Sequence, residues 1–201
     1  MYKQLNSLEN QENISKNDLF SILKENAKAI SINDLMLATA QLHADGEFVP
    51  ESYRVGYEEI YIKFFIMRIK DIKEDKNNYD GNLDKEELLD SINLLKYQLN
   101  EFFKENNIDL NDIKDISDSN IIDIVSNINN VGDYKFLKIY AIISLYTTYI
   151  LNEPIHPVGT PFPGSLKVTE ENGVFYCPVK ENNIDNPKAV CKFCIAEQSE
   201  F

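Results

Sequence analysis

Apolar residues recur at three- and four-residue intervals through the first three quarters of the chain, the spacing of helices that bury one face. In the first such stretch, Leu19, Leu23 and Ala27 fall on one side. In the last stretch nearly every residue is apolar, so we expect that helix at the centre of the helical body. The pattern predicts about six helices, at 15–30, 31–46, 51–74, 85–105, 119–130 and 134–151.

Residues that start helices stand where the apolar pattern begins. Ser15 is followed three residues later by Asp18, and Ser31 by Asp34, so each pair predicts a reciprocal cap at a helix N-terminus. The polar stretch 1–14 carries no comparable signal, and we expect it to fray.

The pattern changes after residue 154. The stretch His156–Gly164 is too rich in proline and glycine for a helix or a regular strand, so we expect a rigid extended loop. Leu166–Cys177 contains Asn172-Gly173, the dipeptide that suits a type I′ turn, and predicts a β-hairpin. We therefore expect a helical body over 1–154 and a C-terminal segment over 155–201, packed together as one structural unit.

All three cysteines of the chain lie in this C-terminal segment. Cys191 and Cys194 form a C-x-x-C, a turn that directs two thiolates at one point, and Cys177 stands at the end of the hairpin. Tetrahedral zinc needs four ligands, and His156 is the fourth that we predict, with His43, a water or a carboxylate as alternatives. The expected fold class is therefore mainly α, a helical domain of about six helices with a C-terminal β-hairpin and a Cys/His knuckle packed against it.

Three other interpretations of the cysteines stay open. An iron–sulfur cluster is also held by thiolates. The C-x-x-C is also the motif of a redox dithiol, although no strand–helix–strand pattern surrounds it here. The plain alternative is three reduced cysteines that pack in a small apolar core. Zinc is the cofactor that we expect, and an iron–sulfur cluster is the alternative.

A second cluster of titratable residues lies at the end of the second predicted helix, where His43, Asp45 and Glu47 stand close together in sequence. A histidine there suits the negative end of the helix dipole, which is the structural interpretation. The functional interpretation is an acid–base or metal cluster. If these three residues met His156 near the metal, the protein would be a metal-dependent enzyme with its site between the C-terminal segment and the helical body.

The stretch 76–87 has most of the spacing of a calcium-binding loop, with Asp80 and Glu87 at ligand positions. Its first position is Lys76, where a carboxylate ligand is needed. Asp84 and Glu87 also make a plain N-terminal cap for the helix that follows. The sequence therefore favours a capped helix–loop–helix connection over a calcium site.

The chain has 20 basic and 33 acidic side chains, a formal net charge of −13. A field of this sign repels phosphate backbones and anionic lipid, so we expect no nucleic-acid partner and no membrane partner. The most apolar windows are shorter than the roughly 20 residues of a spanning helix, and each contains a charge. No secretory signal pattern is visible, so we expect a cytoplasmic protein with reduced thiols.

Three strings in the C-terminal segment, HPVGTPFPGSLKV, YCPVK and NPKAVCKFCIAEQ, resemble the C-terminal signature of an uncharacterised protein family from methanogenic archaea. The resemblance covers about 155–198 and is only general over the helical part. It implies an anaerobic archaeal cytoplasm, in which thiols stay reduced and an iron–sulfur cluster is feasible. The family has no assigned activity, so the resemblance implies no catalytic residue.

The function expected from these observations is that of a metal-stabilised protein that acts through an interaction surface on the C-terminal segment, with another protein as partner. Phe162 and Phe193 are the side chains that we expect at that surface. A metal-dependent enzyme and an iron–sulfur or redox protein are the alternatives.

Overall fold

The computed structural model describes residues 1–47, 50–108 and 131–200, and it is mainly helical with a small C-terminal sheet. The α-helices are α1 (Tyr2–Asn6), α2 (Lys16–Lys28), α3 (Ile32–Gly46), α4 (Glu51–Gly56), α5 (Lys63–Glu74), α6 (Lys85–Glu105), α7 (Val131–Leu145) and α8 (Lys180–Asn183). A 3₁₀ turn covers Ser7–Asn10, and π-helical turns cover Tyr57–Ile62 and Tyr146–Leu151. The strands are β1 (Pro161–Phe162), β2 (Leu166–Lys167), β3 (Thr169–Glu171), β4 (Val174–Cys177) and β5 (Glu197–Gln198).

The helices predicted from the apolar pattern are found where the structure describes the chain. α2 and α3 match the predictions at 15–30 and 31–46, and α6 matches 85–105. The predicted helix at 119–130 lies outside the described residues. The mainly α fold class is therefore confirmed.

Both predicted helix caps are present. At the start of α2 the Asp18 N–H donates to Ser15 Oγ at 3.1 Å, and the Ser15 N–H donates to the Asp18 carboxylate at 3.0 Å. At the start of α3 the Asp34 N–H donates to Ser31 Oγ at 3.1 Å, and the Ser31 N–H donates to the Asp34 carboxylate at 2.8 Å. Each pair satisfies N–H groups that a first turn leaves without a helical partner.

The expectation that 1–14 frays is wrong, because this stretch covers one side of the core. Leu5, Leu8 and Ile14 are at most 1% exposed. The Lys85 ammonium of α6 donates to the carbonyls of Glu9 and Gln11 at 2.8 and 2.6 Å. A few apolar side chains spaced among polar ones are enough to anchor the stretch.

Two of the predicted helices contain a π-helical turn that the apolar pattern did not indicate. The predicted helix at 51–74 consists of α4, the turn Tyr57–Ile62 and α5 in succession, and α7 continues into the turn Tyr146–Leu151. A π-helical turn interrupts the regular α-helical hydrogen bonding and is frequent at functional sites. Tyr61 and Tyr149, one from each turn, contact aromatic rings of the C-terminal segment.

The core forms around α7, as its apolar sequence predicts. Every residue from 141 to 150 is buried. The same buried cluster contains side chains from α2, α3, α5 and α6, and also Ile155, Val190 and Phe193 of the C-terminal segment. The described helical body and the C-terminal segment therefore share one apolar core. None of the described helices has the length and apolar character that crossing a membrane requires.

The predicted hairpin is formed by β3 and β4, which pair antiparallel across Asn172-Gly173. Both turn residues have positive φ, 53° and 83°, as a type I′ turn requires. β5 then lies parallel to β4 and pairs Gln198 with Cys177. The hairpin is confirmed, and the parallel third strand was not predicted, because two residues give no periodic signal.

The proline-rich stretch His156–Gly164 contains a strand, against expectation, because β1 within it pairs antiparallel with β2. The loop that links them lies against α4, where the Ser165 N–H donates to Tyr53 Oη at 3.1 Å. A Cβ atom at Gly56 would lie 3.3 Å from Pro161 Cγ. The absence of a side chain at Gly56 therefore allows the close approach of β1 to α4.

The Asp75 carboxylate joins the end of α5 to the central helix, which consists of α7 and the π-helical turn Tyr146–Leu151. Tyr79 and Tyr146 donate to Asp75 Oδ2 at 2.5 and 2.6 Å, and the Lys24 ammonium donates to the Asp75 carbonyl. Burial alone would raise the pKa of Asp75, but the hydrogen bonds from Tyr146 and Tyr79 outweigh it and lower the pKa below its usual value. Burial and this carboxylate raise the pKa of both phenols, so they stay protonated donors.

The connection between α5 and α6 uses Asp84 as a cap, as the plain interpretation of 76–87 predicts. The Glu87 N–H donates to the Asp84 carboxylate at 2.9 Å. The Leu83 N–H donates to the Ile14 carbonyl at 2.8 Å, which ties the loop to the residues before α2.

Replacement of Tyr146 by phenylalanine removes one hydrogen bond to Asp75 and keeps the ring. We expect Tyr146→Phe to lower the free energy of unfolding at neutral pH by about 1.5–3 kcal/mol, the range for a hydrogen bond to a charged group. Because the folded-state pKa of Asp75 is lowered, this contribution is present above the pKa of a free aspartate, about 3.9, and is lost as pH falls through the folded-state value. Urea unfolding followed by circular dichroism should show the difference from wild type shrinking in acid.

Tyr97→Phe is the matched control, because the Tyr97 side chain lies on the surface of α6 and is 42% exposed. This variant should unfold like wild type at every pH. A Tyr146→Phe protein as stable as Tyr97→Phe would contradict the role assigned to Asp75.

Candidate metal centre

Cys177 lies at the end of β4 and is buried. Its carbonyl accepts a hydrogen bond from the Ser199 N–H at 3.2 Å. Burial raises the pKa of the Cys177 thiol, and the backbone N–H groups of Val179 and Lys180 partly oppose that rise. The turn after β4 therefore places backbone dipoles near the sulfur that the sequence predicts as a ligand.

The turn that carries Cys191 and Cys194 is anchored by apolar residues. The N–H groups of Phe193 and Cys194 both donate to the Val190 carbonyl at 3.2 Å. Val190 and Phe193 are 2% and 6% exposed, and the Phe193 ring stacks on Tyr149 with 6.4 Å between centroids. The expectation that Phe193 is a surface contact is wrong, because its ring is buried in the core beside this tyrosine.

His156 stands near the start of the C-terminal segment, directly after the buried Ile155. Its ring centroid lies 4.8 Å from that of Tyr61 and 5.7 Å from that of Phe162. Burial lowers the pKa of His156 to about 4. The imidazole is therefore neutral at pH 7, which is the form that binds metals.

One small cavity is lined by Cys177, Cys191, Cys194 and His156, together with Ile155, Lys180 and Val190. The volume of the cavity is about 10 Å³, which is roughly room for one water molecule or one ion. The Lys180 ammonium donates to the Cys194 carbonyl at 2.7 Å. The structure thus brings the four predicted ligands to one cavity.

The three sulfurs lie close enough to influence one another's ionisation. Burial raises the pKa of Cys191 to about 11, and charge repulsion from Cys177 and Cys194 adds to the rise. Burial also raises the pKa of Cys177, with a smaller contribution from Cys194. The thiols of Cys177 and Cys191 are therefore protonated at neutral pH unless a cation compensates their charge.

The four side chains surround the cavity without forming a coordination sphere. Across residues 1–47, 50–108 and 131–200, no group of three or more His, Cys, Asp or Glu side chains is placed to hold a metal ion. Zinc would need sulfur atoms at about 2.3 Å and a nitrogen at about 2.0 Å, so the side chains would have to turn further into the cavity. The metal and its ligands stay a prediction.

His43 does not line this cavity. Its side chain is 55% exposed, and its Nδ1 lies 3.5 Å from Glu58 Oε1. Glu47 is exposed, and its carbonyl accepts a hydrogen bond from Arg54 at 3.0 Å. The Asp45 side chain lies outside what the structure describes. Of the histidines, it is therefore His156 that the structure places with the cysteines.

Three residues near the cavity were not predicted as part of the site: Lys180, Tyr61 and Tyr140. Tyr61 and Tyr140 share a side-chain hydrogen bond. The pKa of Tyr140 is raised chiefly by burial and also by the charges of Cys191 and Cys194. Both tyrosines lie in apolar stretches that predict buried helices. Their hydroxyl groups were the only indication of a site, and many buried tyrosines carry one without a functional role.

A family model for uncharacterised proteins conserved in archaea, DUF2115, matches residues 15–199. A UPF0305 protein from Methanothermobacter thermautotrophicus is 36% identical over 180 residues, which cover 90% of this chain and 94% of that protein. A UPF0305 protein from Methanococcus maripaludis strain C7 is 31% identical over 181 residues, which cover 89% and 94%. One from Methanocaldococcus jannaschii is 24% identical over 180 residues, which cover 90% and 94%. No solved structure matches.

The lowered pKa of His156 predicts a stability that depends on pH. Because the folded state keeps this imidazole neutral, stability is fully present above the pKa of a free histidine, about 6.5, and is lost as pH falls from there towards 4. In chelator-treated protein, we expect His156→Gln to reduce the slope of stability against pH in this window. Urea unfolding at a series of pH values measures the slope.

His43→Gln is the matched control, because it removes the chain's other histidine, which is exposed. It should keep the wild-type slope. Equal slopes in wild type and His156→Gln would show that burial does not hold this imidazole neutral.

Proposed function

The chain belongs to the archaeal family of uncharacterised proteins described as DUF2115, and we propose that its C-terminal segment is held to the helical body by a structural zinc ion. The proposed ligands are Cys177, Cys191, Cys194 and His156. The observation that carries the proposal is the single cavity that all four side chains line. These residues come from separate parts of the C-terminal segment, so the fold rather than local sequence brings them together.

The charges around the cavity support a bound cation. Burial and mutual repulsion raise the pKa of Cys191, so gathering sulfurs here is costly while nothing offsets their negative charge. A divalent ion removes that cost, since it binds thiolates directly and displaces their protons. His156 needs no such displacement, because burial already keeps it neutral.

The backbone around Cys177 is compatible with a metal ligand. The N–H groups of Val179 and Lys180 lower the pKa of its thiol, against the larger effect of burial. A bound cation would act in the same direction and favour the thiolate.

The size of the cavity favours a structural ion over a catalytic one. A catalytic zinc keeps one coordination position open to water or substrate, whereas a structural zinc is closed by four protein ligands. A cavity with room for about one ion, and with four candidate ligands, leaves no space for a substrate. The exposed position of His43 also removes a partner that the enzyme hypothesis required.

Of the two phenylalanines expected at an interaction surface on the C-terminal segment, only Phe162 is partly exposed. Phe193 is buried, whereas Phe162 is partly exposed and Val158 is 47% exposed. Both lie on the proline-rich stretch that follows His156. Zinc bound by His156 would therefore stabilise the part of the chain that presents these side chains.

Metal analysis tests the proposal. We expect protein purified without chelator under anaerobic conditions to contain about one zinc ion per chain by mass spectrometry of the elements. Cys194→Ser and His156→Ala should lose the ion and melt at lower temperature, because a structural zinc contributes on the order of 10 kcal/mol to folding. His43→Ala is the matched control and should keep both the ion and the melting temperature.

Titration of the wild-type protein with a thiol reagent keeps the test valid if a variant fails to fold. Modification of the cysteines should release zinc to a coloured chelator in step with thiol loss. A folded wild-type protein that contains neither zinc nor iron would overturn the proposal. A protein that contains iron and shows a visible absorption band would instead support the iron–sulfur alternative.

A further inference from the structure

A cleft of about 880 Å³ lies where the C-terminal ends of α2 and α5 meet Tyr146 of the central helix. Its volume is within the range of small-molecule sites, roughly 300–1,000 Å³. The cleft shares no lining residue with the cysteine cavity, so it is separate from the proposed zinc site.

The cleft is basic in an acidic protein. Five of its lining side chains are cations: Lys24, Lys28, Arg68, Lys73 and Lys76. Three are acids, which leaves a formal charge of 5 − 3 = +2 on the lining, against −13 for the chain. A cleft whose charge is opposite to that of its surroundings concentrates ligands of the other sign.

Helix capping accounts for only part of this charge. The Lys73 ammonium donates to the Ile30 carbonyl at 2.6 Å, and the Lys24 ammonium donates to the Asp75 carbonyl, so both compensate helix C-termini. Each ammonium has three donors, and these contacts use one. Within the described ranges, Lys28 and Lys76 form no hydrogen bond or ion pair, although Lys28 lies in the last turn of α2, where a cation suits the helix dipole.

Arg68 and Asp75 fix the inner wall of the cleft. The Arg68 guanidinium donates to the Glu153 carboxylate at 2.6 Å, while its buried Nε has no hydrogen-bond partner among the described residues. The Asp75 carboxylate accepts from Tyr79 and Tyr146, so the most buried acid of the cleft is already engaged. Lys28 and Lys76 are exposed and complete the lining.

We propose that this cleft binds a small organic phosphate. Lysine ammonium groups bind phosphate oxygens as point charges, and Lys28 and Lys76 have donors to spare. One phosphate group would fill only a small part of about 880 Å³, so the ligand carries a second phosphate or an organic moiety. The net charge of −13 opposes a long nucleic acid in the same place.

Isothermal titration calorimetry with inorganic phosphate, pyrophosphate and ADP as probes, at constant ionic strength, tests the proposal. Pyrophosphate and ADP should bind more tightly than inorganic phosphate. The double variant Lys28→Ala/Lys76→Ala should weaken their binding by about tenfold or more, the cost of losing charged hydrogen bonds. The matched control, Lys63→Ala/Lys70→Ala, removes the same charge from exposed positions of α5 outside the cleft and should change affinity less than about twofold.

Four outcomes would overturn the proposal. The first is no saturable binding of any probe by the wild-type protein. The second is equal weakening by the two double variants, since the charge effect would then be general. The third is equal affinity for inorganic phosphate and ADP. The fourth is tighter binding of a single-stranded oligonucleotide than of ADP.

Discussion

The candidate metal centre depends on one constraint: its three cysteines lie beside the apolar core. Val190 and Phe193 pack in the core around α7. The turn from Val190 to Cys194 is closed by backbone hydrogen bonds, so Cys191 and Cys194 lie beside that core. Burial in this environment raises the pKa of Cys177 and Cys191, and lowers that of His156. Apolar burial therefore positions the four candidate ligands, and the same burial makes their charged forms costly without a cation. The proposed zinc ion resolves this conflict, since it replaces protons on the sulfurs.

The central helix connects the two candidate sites. Tyr149 of its π-helical turn stacks on Phe193 beneath the C-x-x-C, and Tyr146 of the same turn donates to Asp75 in the basic cleft. The same turn therefore packs against the segment that carries the small cysteine cavity and also lines the larger basic cleft. The overall charge of −13 describes neither site, because ligand binding depends on the charges that line a cavity rather than on their sum over the chain.

Local signals predicted the parts of the fold that local chemistry decides. The Ser15 and Ser31 caps, the Asn172-Gly173 hairpin and the helical spans each depend on residues a few positions apart. The π-helical turns, the parallel strand β5 and the burial of Phe193 were not predicted, because each depends on packing between distant parts of the chain. For the candidate site, residue type and spacing indicated the cysteines and His156. The sequence favoured His156 as the fourth ligand but left His43 as an alternative, because only the fold places one ring at the cavity and leaves the other exposed.

X-ray absorption spectroscopy at the zinc edge of anaerobically purified protein would identify the atoms bound to the metal. We expect a first shell of three sulfur atoms at about 2.3 Å and one imidazole nitrogen at about 2.0–2.1 Å. A first shell made only of oxygen or nitrogen atoms, or a folded protein without a metal edge, would contradict the proposed zinc site.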